Sequence, residues 1–336
     1  MDPLNGLVTL ANFVLIPATA YGAQLALGAL GVTLIYGILR FSNFAHGDTR
    51  AMGTTVVILG TWGLQAAGIG AGPLPTALIA LPLGIAAAAL LVLGTDRLVY
   101  RYYRAKRAVP IIFVIASLGV MFVYNGLTRF IIGTDDQRFA DGARFVVSVR
   151  DFREMTGLAE GLAIRTTQAI TVVVAVIVVA ALFWFLNRTR TGKSMRAYSD
   201  NEDLALLSGI DPERVVVITW VIVAALATIA GTLYGLDKSF MPFTYFQLLL
   251  PIFAAAIVGG LGSPVGAIAG GFLIAFAEVT ITYPLKKVLG YFLPDAMEPA
   301  GLVQLLSTDY KFAVSFVILL IVLLFRPTGL FAGRSV

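Results

Sequence analysis

Apolar runs of about 20 residues recur along almost the whole chain, and no other feature limits its possible folds so strongly. A helix of this length crosses the roughly 30 Å hydrocarbon core of a bilayer. The runs are continuous rather than alternating, which indicates helices and not the strands of a closed barrel. Hydrophobic residues make up 58% of the 336 residues and charged residues only 13%. The sequence therefore predicts an all-α integral membrane protein, a polytopic bundle with a single transmembrane domain over residues 1–336.

The pattern predicts eight to ten transmembrane helices. The apolar segments are residues 12–38, 51–68, 74–95, 110–131, 168–187, 214–235, 246–260, 264–283 and 311–326. The uncertainty in the count lies at the start, because residues 4–38 are long for one crossing and Pro17 could break them into two helices.

The distribution of basic residues predicts the orientation. Short loops near the membrane that are rich in Lys and Arg stay in the cytoplasm. Two loops qualify, the first with Arg97, Arg101, Arg104, Lys106 and Arg107, and the second with Arg188, Arg190, Lys193 and Arg196. Residues 133–166 then form an extracytoplasmic loop, and 188–213 a cytoplasmic one. Nine crossings would place the N-terminus outside and the C-terminus inside, whereas ten would place both inside.

The composition argues against several function classes. The chain has no cysteine and one histidine, so a thiolate nucleophile, a Cys metal site and a clustered membrane active site are not expected. The net charge of +5 belongs to loops beside apolar spans, where the positive-inside rule explains it without nucleic acid. We assign no catalytic residue and no metal site.

The cytoplasmic segment Arg190–Val215 is charged and rich in capping residues. Ser199 and Glu202 have the spacing of a capping box, which predicts a short helix that ends at Gly209. Asp211 and Pro212 supply the N-cap and first position of the next span. The predicted helix contains Leu204, Ala205, Leu206 and Leu207. Its leucines cannot all face the bundle, which indicates either a helix lying on the membrane interface or a docking site for a soluble partner.

One nucleotide-binding motif in this segment is incomplete. Gly192, Lys193 and Ser194 match the end of a P-loop, but Asn187 stands where the motif requires glycine, and an apolar span precedes it instead of a strand. ATP-driven transport by this chain would therefore require the ATPase to be a separate subunit.

A polar stretch interrupts the apolar sequence after the first span. It comprises Ser42, Asn43, Phe44, Ala45, His46, Gly47 and Asp48. Such a stretch is typical of a broken or re-entrant helix whose freed backbone groups line a cavity, so these residues are candidates for a translocation path. Asp48 or Ser42 could cap the helix that follows. A lone histidine more often makes a structural hydrogen bond than a proton relay, and we expect this of His46.

Two further features lie in the C-terminal half. Gly262, Gly266 and Gly270 recur at every fourth residue, which predicts one helix face suited to close helix packing. The turn before them is a candidate partner for the interruption at 42–48 in an inverted repeat. Glu278 is an acid within a span, and the sequence favours its reaching the outer interface or pairing with Lys286 or Lys287 at least as strongly as its binding substrate.

Together these motifs resemble one family, the permease subunits of branched-chain amino acid ABC importers of the Liv-H type. The similarity is carried by GILRFSNFAHG (37–47), by Arg190–Val215, by AIVGGLGSPVGAIAGG (256–271), and by DYKFAVSFVILLIVLLFRPTG (309–329). The resemblance implies a bacterial inner-membrane importer that has a second permease subunit, two cytoplasmic ATPases and an extracytoplasmic binding protein. It also implies that 188–213 is the coupling loop, and that ATP and Mg²⁺ bind the ATPases rather than this chain.

The resemblance leaves the substrate open. Branched-chain or other aliphatic amino acids come first, while similar importers carry urea, short amides or aromatic acids. A path poor in charge, as most of the spans are, would suit a small neutral solute. A stand-alone secondary transporter or channel is the alternative from another class, and it would require titratable groups within several spans. The family usually has a short link where this chain has LPDAMEPAGLVQ within residues 286–307.

Overall fold

The computed structural model describes residues 3–292, 304–307 and 310–331, and these are almost entirely helical. The helices are α1 (Pro3–Leu39), α2 (His46–Ala66), α3 (Ala77–Ala105), α4 (Pro110–Ile132), α5 (Val149–Thr156), α6 (Thr166–Arg188), α7 (Arg190–Asp200), α8 (Glu202–Leu207), α9 (Pro212–Asp237), α10 (Pro242–Gly259), α11 (Pro264–Thr282), α12 (Lys286–Phe292) and α13 (Lys311–Phe325). Two short strands, β1 (Phe145–Val147) and β2 (Ile164–Arg165), pair antiparallel. Most of the insertion predicted near 290–305 lies outside the described residues.

Seven of the helices in the described part of the chain are long and apolar enough to cross a membrane: α1, α3, α4, α6, α9, α10 and α11. Two more occupy predicted apolar segments. One is α2, which is 21 residues long but carries Asp48 and Arg50. The other is α13, which is apolar but only 15 residues long. If these two also cross, the described residues contain nine crossings, which is within the predicted range.

The sequence allowed the N-terminal apolar segment to divide into two helices at Pro17, but it does not divide there. Residues 3–39 form one helical stretch of 37 residues, roughly 55 Å at ~1.5 Å per residue. A π-helical turn at Ala11–Leu15 immediately precedes the α-helical part that contains Pro17 in its first turn. Proline removes one backbone hydrogen bond from a continuous helix, and the irregular π-helical turn lies directly before the position where this bond is lost.

The contacts of the N-terminal end place it on the extracytoplasmic side. The Glu160 backbone N–H donates to Asn5 Oδ1 at 2.9 Å, and the Ala163 N–H donates to Asn12 Oδ1 at 3.0 Å. Both donors belong to the segment 133–166, which the basic loops place outside. Nine crossings that begin outside bring the end of α13 to the cytoplasmic side. The geometry therefore favours the nine-crossing arrangement.

The small-residue helix α1 lies at the centre of the bundle. Its residues from Ala20 to Ile35 are all buried, and it packs against α9, α10 and α11. Glycines permit the close approach: a Cβ at Gly22 would overlap the ring of Phe272, and one at Gly271 would overlap the backbone of Ala26. Because lipid offers helices no hydrophobic reason to associate, tight packing of this kind supplies much of the attraction.

The helices α4 and α6 lie at the periphery. Large apolar side chains point away from the bundle along both, including Phe122 and Phe130 on α4 and Val176 and Trp184 on α6. In water such surfaces would mark an interface, but on a membrane-spanning bundle they are the surface that lipid covers. The contrast between α1 and these helices separates the core of the bundle from its perimeter.

The predicted stripe of three glycines is only partly correct. Gly262 is not on the helix but in the turn before it, with a left-handed φ of +89°, because Ser263 caps α11 and Pro264 starts it. Gly266 and Gly270 do lie on α11. A Cβ at either would overlap a carbonyl oxygen of α10, that of Gly259 for the first and of Ala255 for the second.

We expect Gly266→Leu to destabilise the bundle, because the new side chain must displace the backbone of α10 rather than a flexible side chain. Overpacking a well-packed core costs about 1–3 kcal/mol, and more where backbone must move. The measurement is the thermal unfolding midpoint of the purified protein in mild detergent. Gly119→Leu is the matched control, since a Cβ at Gly119 meets no atom within 4 Å among the described residues. Equal midpoints for the two variants would contradict the packing role of Gly266.

Candidate functional site

The polar stretch after α1 is a true break between helices. Arg40 ends α1 in the left-handed conformation at φ 57°, and α2 begins only at His46. Side chains satisfy the backbone groups freed between them, as lipid requires: Asn43 Oδ1 accepts from the Ala45 N–H at 3.1 Å, and Ser117 Oγ accepts from the Phe44 N–H at 3.1 Å. The Phe44 ring stacks on that of Phe253 at 5.2 Å. The predicted broken helix is therefore present, inside the bundle.

His46 is fully buried and hydrogen-bonded, as expected of a structural histidine. Its Nε2 lies 3.1 Å from the carbonyl oxygen of Gly28. Its ring also lies against Gly31, where a Cβ would overlap the imidazole. The helix α1 thus provides a glycine-lined recess for the side chain. Next to it, Gly47 packs on Leu249 at the start of the second half of α10.

Neither Asp48 nor Ser42 caps α2, contrary to the sequence prediction. The N-cap residue is Ala45, and it makes no side-chain capping bond. Asp48 lies in the first turn, fully buried, where Asn125 Nδ2 donates to its Oδ1 at 2.8 Å. Its carboxylate joins α2 to α4 and still lies at the positive end of the helix dipole, which favours an acid.

A buried charge that the sequence analysis did not single out lies one turn further along α2. Arg50 is fully buried, and its Nη2 donates to the Ala230 carbonyl oxygen at 3.3 Å. Its guanidinium lies 5.3 Å from the ring centres of both Tyr234 and Tyr245. Nε and Nη1 have no hydrogen-bond partner among the described residues. Cation–π contacts in dry surroundings supply about 2 kcal/mol or more each, and here they replace an acidic partner.

Glu278 is also buried rather than at the interface. It is 1% exposed, and Ser315 Oγ on α13 donates to its Oε1. Lys287 does not pair with Glu278 as expected. Its Nζ instead lies 2.9 Å from the carboxylate of Glu160 in the extracytoplasmic segment. Tyr291 and Lys287 together lower the pKa of Glu160. Burial of Glu278 follows from α13, which covers the outer part of α11.

Glu278 faces a cavity of about 290 Å³ between α1, α9, α11 and α13. The cavity is lined by the polar side chains of Tyr21, Tyr234, Lys238, Glu278, Thr282, Tyr283 and Lys311 and by the apolar ones of Pro17, Val279 and Pro284. This cavity is on the extracytoplasmic half of the bundle, because Lys238 follows the outer end of α9. The expected path poor in charge is not found at this cavity. Lys238 at the end of α9, Lys311 at the start of α13 and Glu278 on α11 all face it.

The cytoplasmic loop folds as two helices rather than one. Ser199 is not a cap but lies within α7, and Asn201 takes the capping role for α8, its Oδ1 accepting from the Leu204 N–H at 3.0 Å. Asn201 is the N-cap of α8 because it is the residue with extended backbone between the two helices. Glu202 accepts from the Tyr198 hydroxyl at 2.7 Å. The predicted end at Gly209 is confirmed, with φ +80°.

The leucines of α8 point away from the bundle. Leu204, Leu206 and Leu207 are 61%, 43% and 84% exposed, while Ala205 is 3% exposed and faces inward. The sequence prediction that the leucines cannot all face the bundle is therefore correct. Three exposed leucines on a cytoplasmic helix of six residues form an apolar knob, which we call the α8 knob.

Ser199 connects this loop to the central break. Its hydroxyl donates to the Gly37 carbonyl oxygen at 3.1 Å, and Arg40 Nη2 donates to the Ser199 carbonyl oxygen. Gly37 and Arg40 are the last turn of α1 and its C-cap. Movement of α7 and α8 would therefore act directly on the end of α1 where the break begins.

A second clamp holds the cytoplasmic ends of α3 and α9 together. Asp96 accepts two bonds from Arg104, at 2.6 and 2.9 Å, and one from Trp220 Nε1 at 2.7 Å. Trp220 also stacks on Tyr100 at 5.5 Å. Nothing local to Trp220 in the sequence predicts a partner 124 residues away.

We expect Arg50→Met to leave stability unchanged or to raise it. Replacing a buried charge with an apolar side chain of similar size is often neutral, or stabilising by about 1–4 kcal/mol. The control is Arg104→Met, which leaves the Asp96 carboxylate unpaired and should cost about 3–5 kcal/mol. Thermal unfolding of both variants in detergent makes the comparison. A loss for Arg50→Met as large as that of the control would show that the two tyrosine contacts outweigh desolvation.

Comparison with known proteins gives a consistent result. The family described as branched-chain amino acid transport system / permease component matches residues 15–323. The chain is 32% identical over 321 residues to the high-affinity branched-chain amino acid transport system permease protein LivH of Escherichia coli strain K12, covering 94% of this chain and 93% of that one. It is 29% identical to BraD of Pseudomonas aeruginosa, with 96% of each chain covered. A probable LivH from Methanocaldococcus jannaschii is also 29% identical, over 95% of this chain and 92% of that one.

The match includes the break after α1, the α7–α8 loop and the glycine contact between α10 and α11. This chain therefore belongs to the family of permease components of branched-chain amino acid transport systems.

Proposed function

We propose that the chain is the membrane-spanning permease of an ATP-driven importer in the bacterial inner membrane, and that it carries branched-chain or other aliphatic amino acids. The observation that supports this most is the family match over residues 15–323, together with relatives named as branched-chain amino acid permeases over nearly their full length. The chain is a transport subunit and not an enzyme.

The importer that we propose has four kinds of component. A second, different permease subunit pairs with this one to form a heterodimer. Two ATPases bind at the cytoplasmic face and hold ATP and Mg²⁺. A binding protein delivers the amino acid to the outer face, where α5 and the hairpin β1–β2 are exposed. The α8 knob supports the ATPase contact, because three exposed leucines beside charged residues suit a groove on a soluble protein better than water.

The proposed mechanism is alternating access. ATP-driven closure of the ATPases moves α8, and α7 passes this movement to the last turn of α1 through the bonds of Ser199 with Gly37 and Arg40. The break at residues 40–45 then serves as the hinge, because it is the place where the regular helix hydrogen bonding of α1 ends and that of α2 has not yet begun. Ser42, Asn43, Phe44, His46, Gly47 and Asp48 are the residues we propose to border or support the translocation path.

Substrates such as urea, short amides or aromatic acids remain alternatives within the same class of importer, and no contact in the structure favours them. A stand-alone secondary transporter would use buried titratable groups, and the bundle does contain Asp48, Arg50 and Glu278. However, its relatives are named as components of transport systems, and the α8 knob has no purpose in a transporter that acts alone.

We expect the complete importer, reconstituted in proteoliposomes with its binding protein, to accumulate radiolabelled leucine only when ATP is inside with the ATPases. The reason is that this chain supplies a path but no nucleotide site. Filter assays of leucine uptake, with urea and phenylalanine as competitors, make the measurement. Accumulation without ATP would contradict an ATP-driven importer, and uptake of urea in preference to leucine would contradict the proposed substrate.

The triple variant Leu204→Asp, Leu206→Asp and Leu207→Asp should lose the ATPase while the second permease stays bound. Each exposed leucine that becomes buried at an interface contributes about 1.5–3 kcal/mol, and three carboxylates would reverse that contribution. Co-purification in mild detergent from cells that express the whole operon makes the measurement. The control is Val146→Asp with Met155→Asp, two exposed apolar residues of the extracytoplasmic segment, which cannot contact a cytoplasmic ATPase. Retention of the ATPase by the α8 variant would contradict the coupling role of α8.

A further inference from the structure

We propose that the outer cavity beneath Lys238 binds the transported amino acid as a zwitterion, with its ammonium group at Glu278 and its carboxylate at Lys311. The inference rests on the proposed function and adds to it the location and charge pattern of a binding site within this chain. The polar lining consists of Tyr21, Tyr234, Lys238, Glu278, Thr282, Tyr283 and Lys311.

Three charged side chains line the cavity, those of Lys238, Glu278 and Lys311. Lys238 already has an acidic partner, since its Nζ lies 3.3 Å from Asp237 Oδ2. The two charges left to a ligand are the Glu278 carboxylate on α11 and the Lys311 ammonium on α13. A net anion would meet the carboxylate, and a net cation would meet two ammonium groups. A zwitterion, which has one positive and one negative group and no net charge, matches both the Glu278 carboxylate and the Lys311 ammonium group.

The carboxylate at the site has hydrogen-bonding capacity to spare. Glu278 is 1% exposed, and Ser315 Oγ donates to its Oε1. The Tyr21 hydroxyl faces the carboxylate, yet neither it nor Oε2 makes a well-aligned hydrogen bond to the described residues. Leaving such a group unsatisfied in a dry interior is costly. An ammonium group has three donors and no acceptor, so it could satisfy Oε2 and the tyrosine oxygen together.

Size and shape also agree with a small amino acid. The cavity of about 290 Å³ is at the lower limit of ligand pockets, which run to roughly 1,000 Å³ for drug-sized molecules. Pro17, Val279 and Pro284 form its apolar wall, and this wall is where an aliphatic side chain would lie. Lys238 is 48% exposed at its side chain, so the cavity is near the extracytoplasmic surface from which substrate arrives.

The test is direct binding of L-leucine to the assembled permease complex in lipid nanodiscs, without the binding protein, by saturation-transfer difference NMR. Two further probes each lack one charge: 4-methylpentanoate has no amine, and 3-methylbutylamine has no carboxylate. We expect leucine to bind at least tenfold more tightly than either probe, because each charged hydrogen bond is worth about a factor of ten or more. Equal binding of leucine and 4-methylpentanoate would overturn the assignment of Glu278.

Two variants locate the site. Glu278→Gln keeps the acceptor for Ser315 but removes the charge, and Lys311→Gln removes the opposite charge. We expect each to weaken leucine binding about tenfold, and to reduce the preference for leucine over the probe that lacks the matching group. Glu154→Gln is the matched control, an exposed acid on α5 whose side chain is paired only with Arg150. Co-purification of the partner subunits and an unchanged elution volume check that each variant is folded.

The outcome separates this inference from the proposed function. If the wild-type importer accumulates leucine while both variants bind it as wild type does, Glu278 and Lys311 form a structural ion pair only, and the site is wrong while the function stands. If the wild-type importer fails to accumulate any aliphatic amino acid, the proposed function fails. In that case a difference between leucine and its two single-charge probes would still show whether the cavity selects a zwitterion.

Discussion

The close packing of α1 against α9, α10 and α11 is the constraint on which the other features depend. Helices in lipid gain nothing from burying apolar surface against each other, so backbones must approach closely to hold together. Gly22, Gly28 and Gly271 allow that approach. Once α1 is fixed at the centre, its glycine-lined recess holds His46, its last turn receives Ser199, and its outer half forms one wall of the Glu278 cavity.

The break between α1 and α2 shows how a membrane protein keeps irregular backbone inside a bundle. Asn43, Ser117 and the Gly28 carbonyl oxygen provide the hydrogen bonds that water would otherwise supply. Residues at this break also pack on α10, since Gly47 lies against Leu249 and Phe44 stacks on Phe253. The pairing of the break with the turn before α11 in an inverted repeat stays a prediction.

Local patterns in the sequence were sufficient for the helices, the break and the exposed leucines of α8, because span length and capping depend on near neighbours. The same reasoning misplaced Ser199 and Gly262, where two caps a few residues apart compete and only the backbone decides. It could not find the partners of Asp96, Arg50 or Glu278. Each of these side chains meets groups from helices distant in the sequence, and a single sequence carries no signal for such contacts.

The buried guanidinium of Arg50 has a consequence for leakage. Arginine stays charged in proteins, and a fixed positive charge in a medium of low dielectric constant raises the electrostatic energy of any cation that approaches it. Sodium ions and protons would meet this barrier inside the bundle, whereas a solute without net charge would experience the field only through its dipole. In the alternating-access importer proposed above, this barrier would oppose the leakage of cations while the path for the amino acid is open.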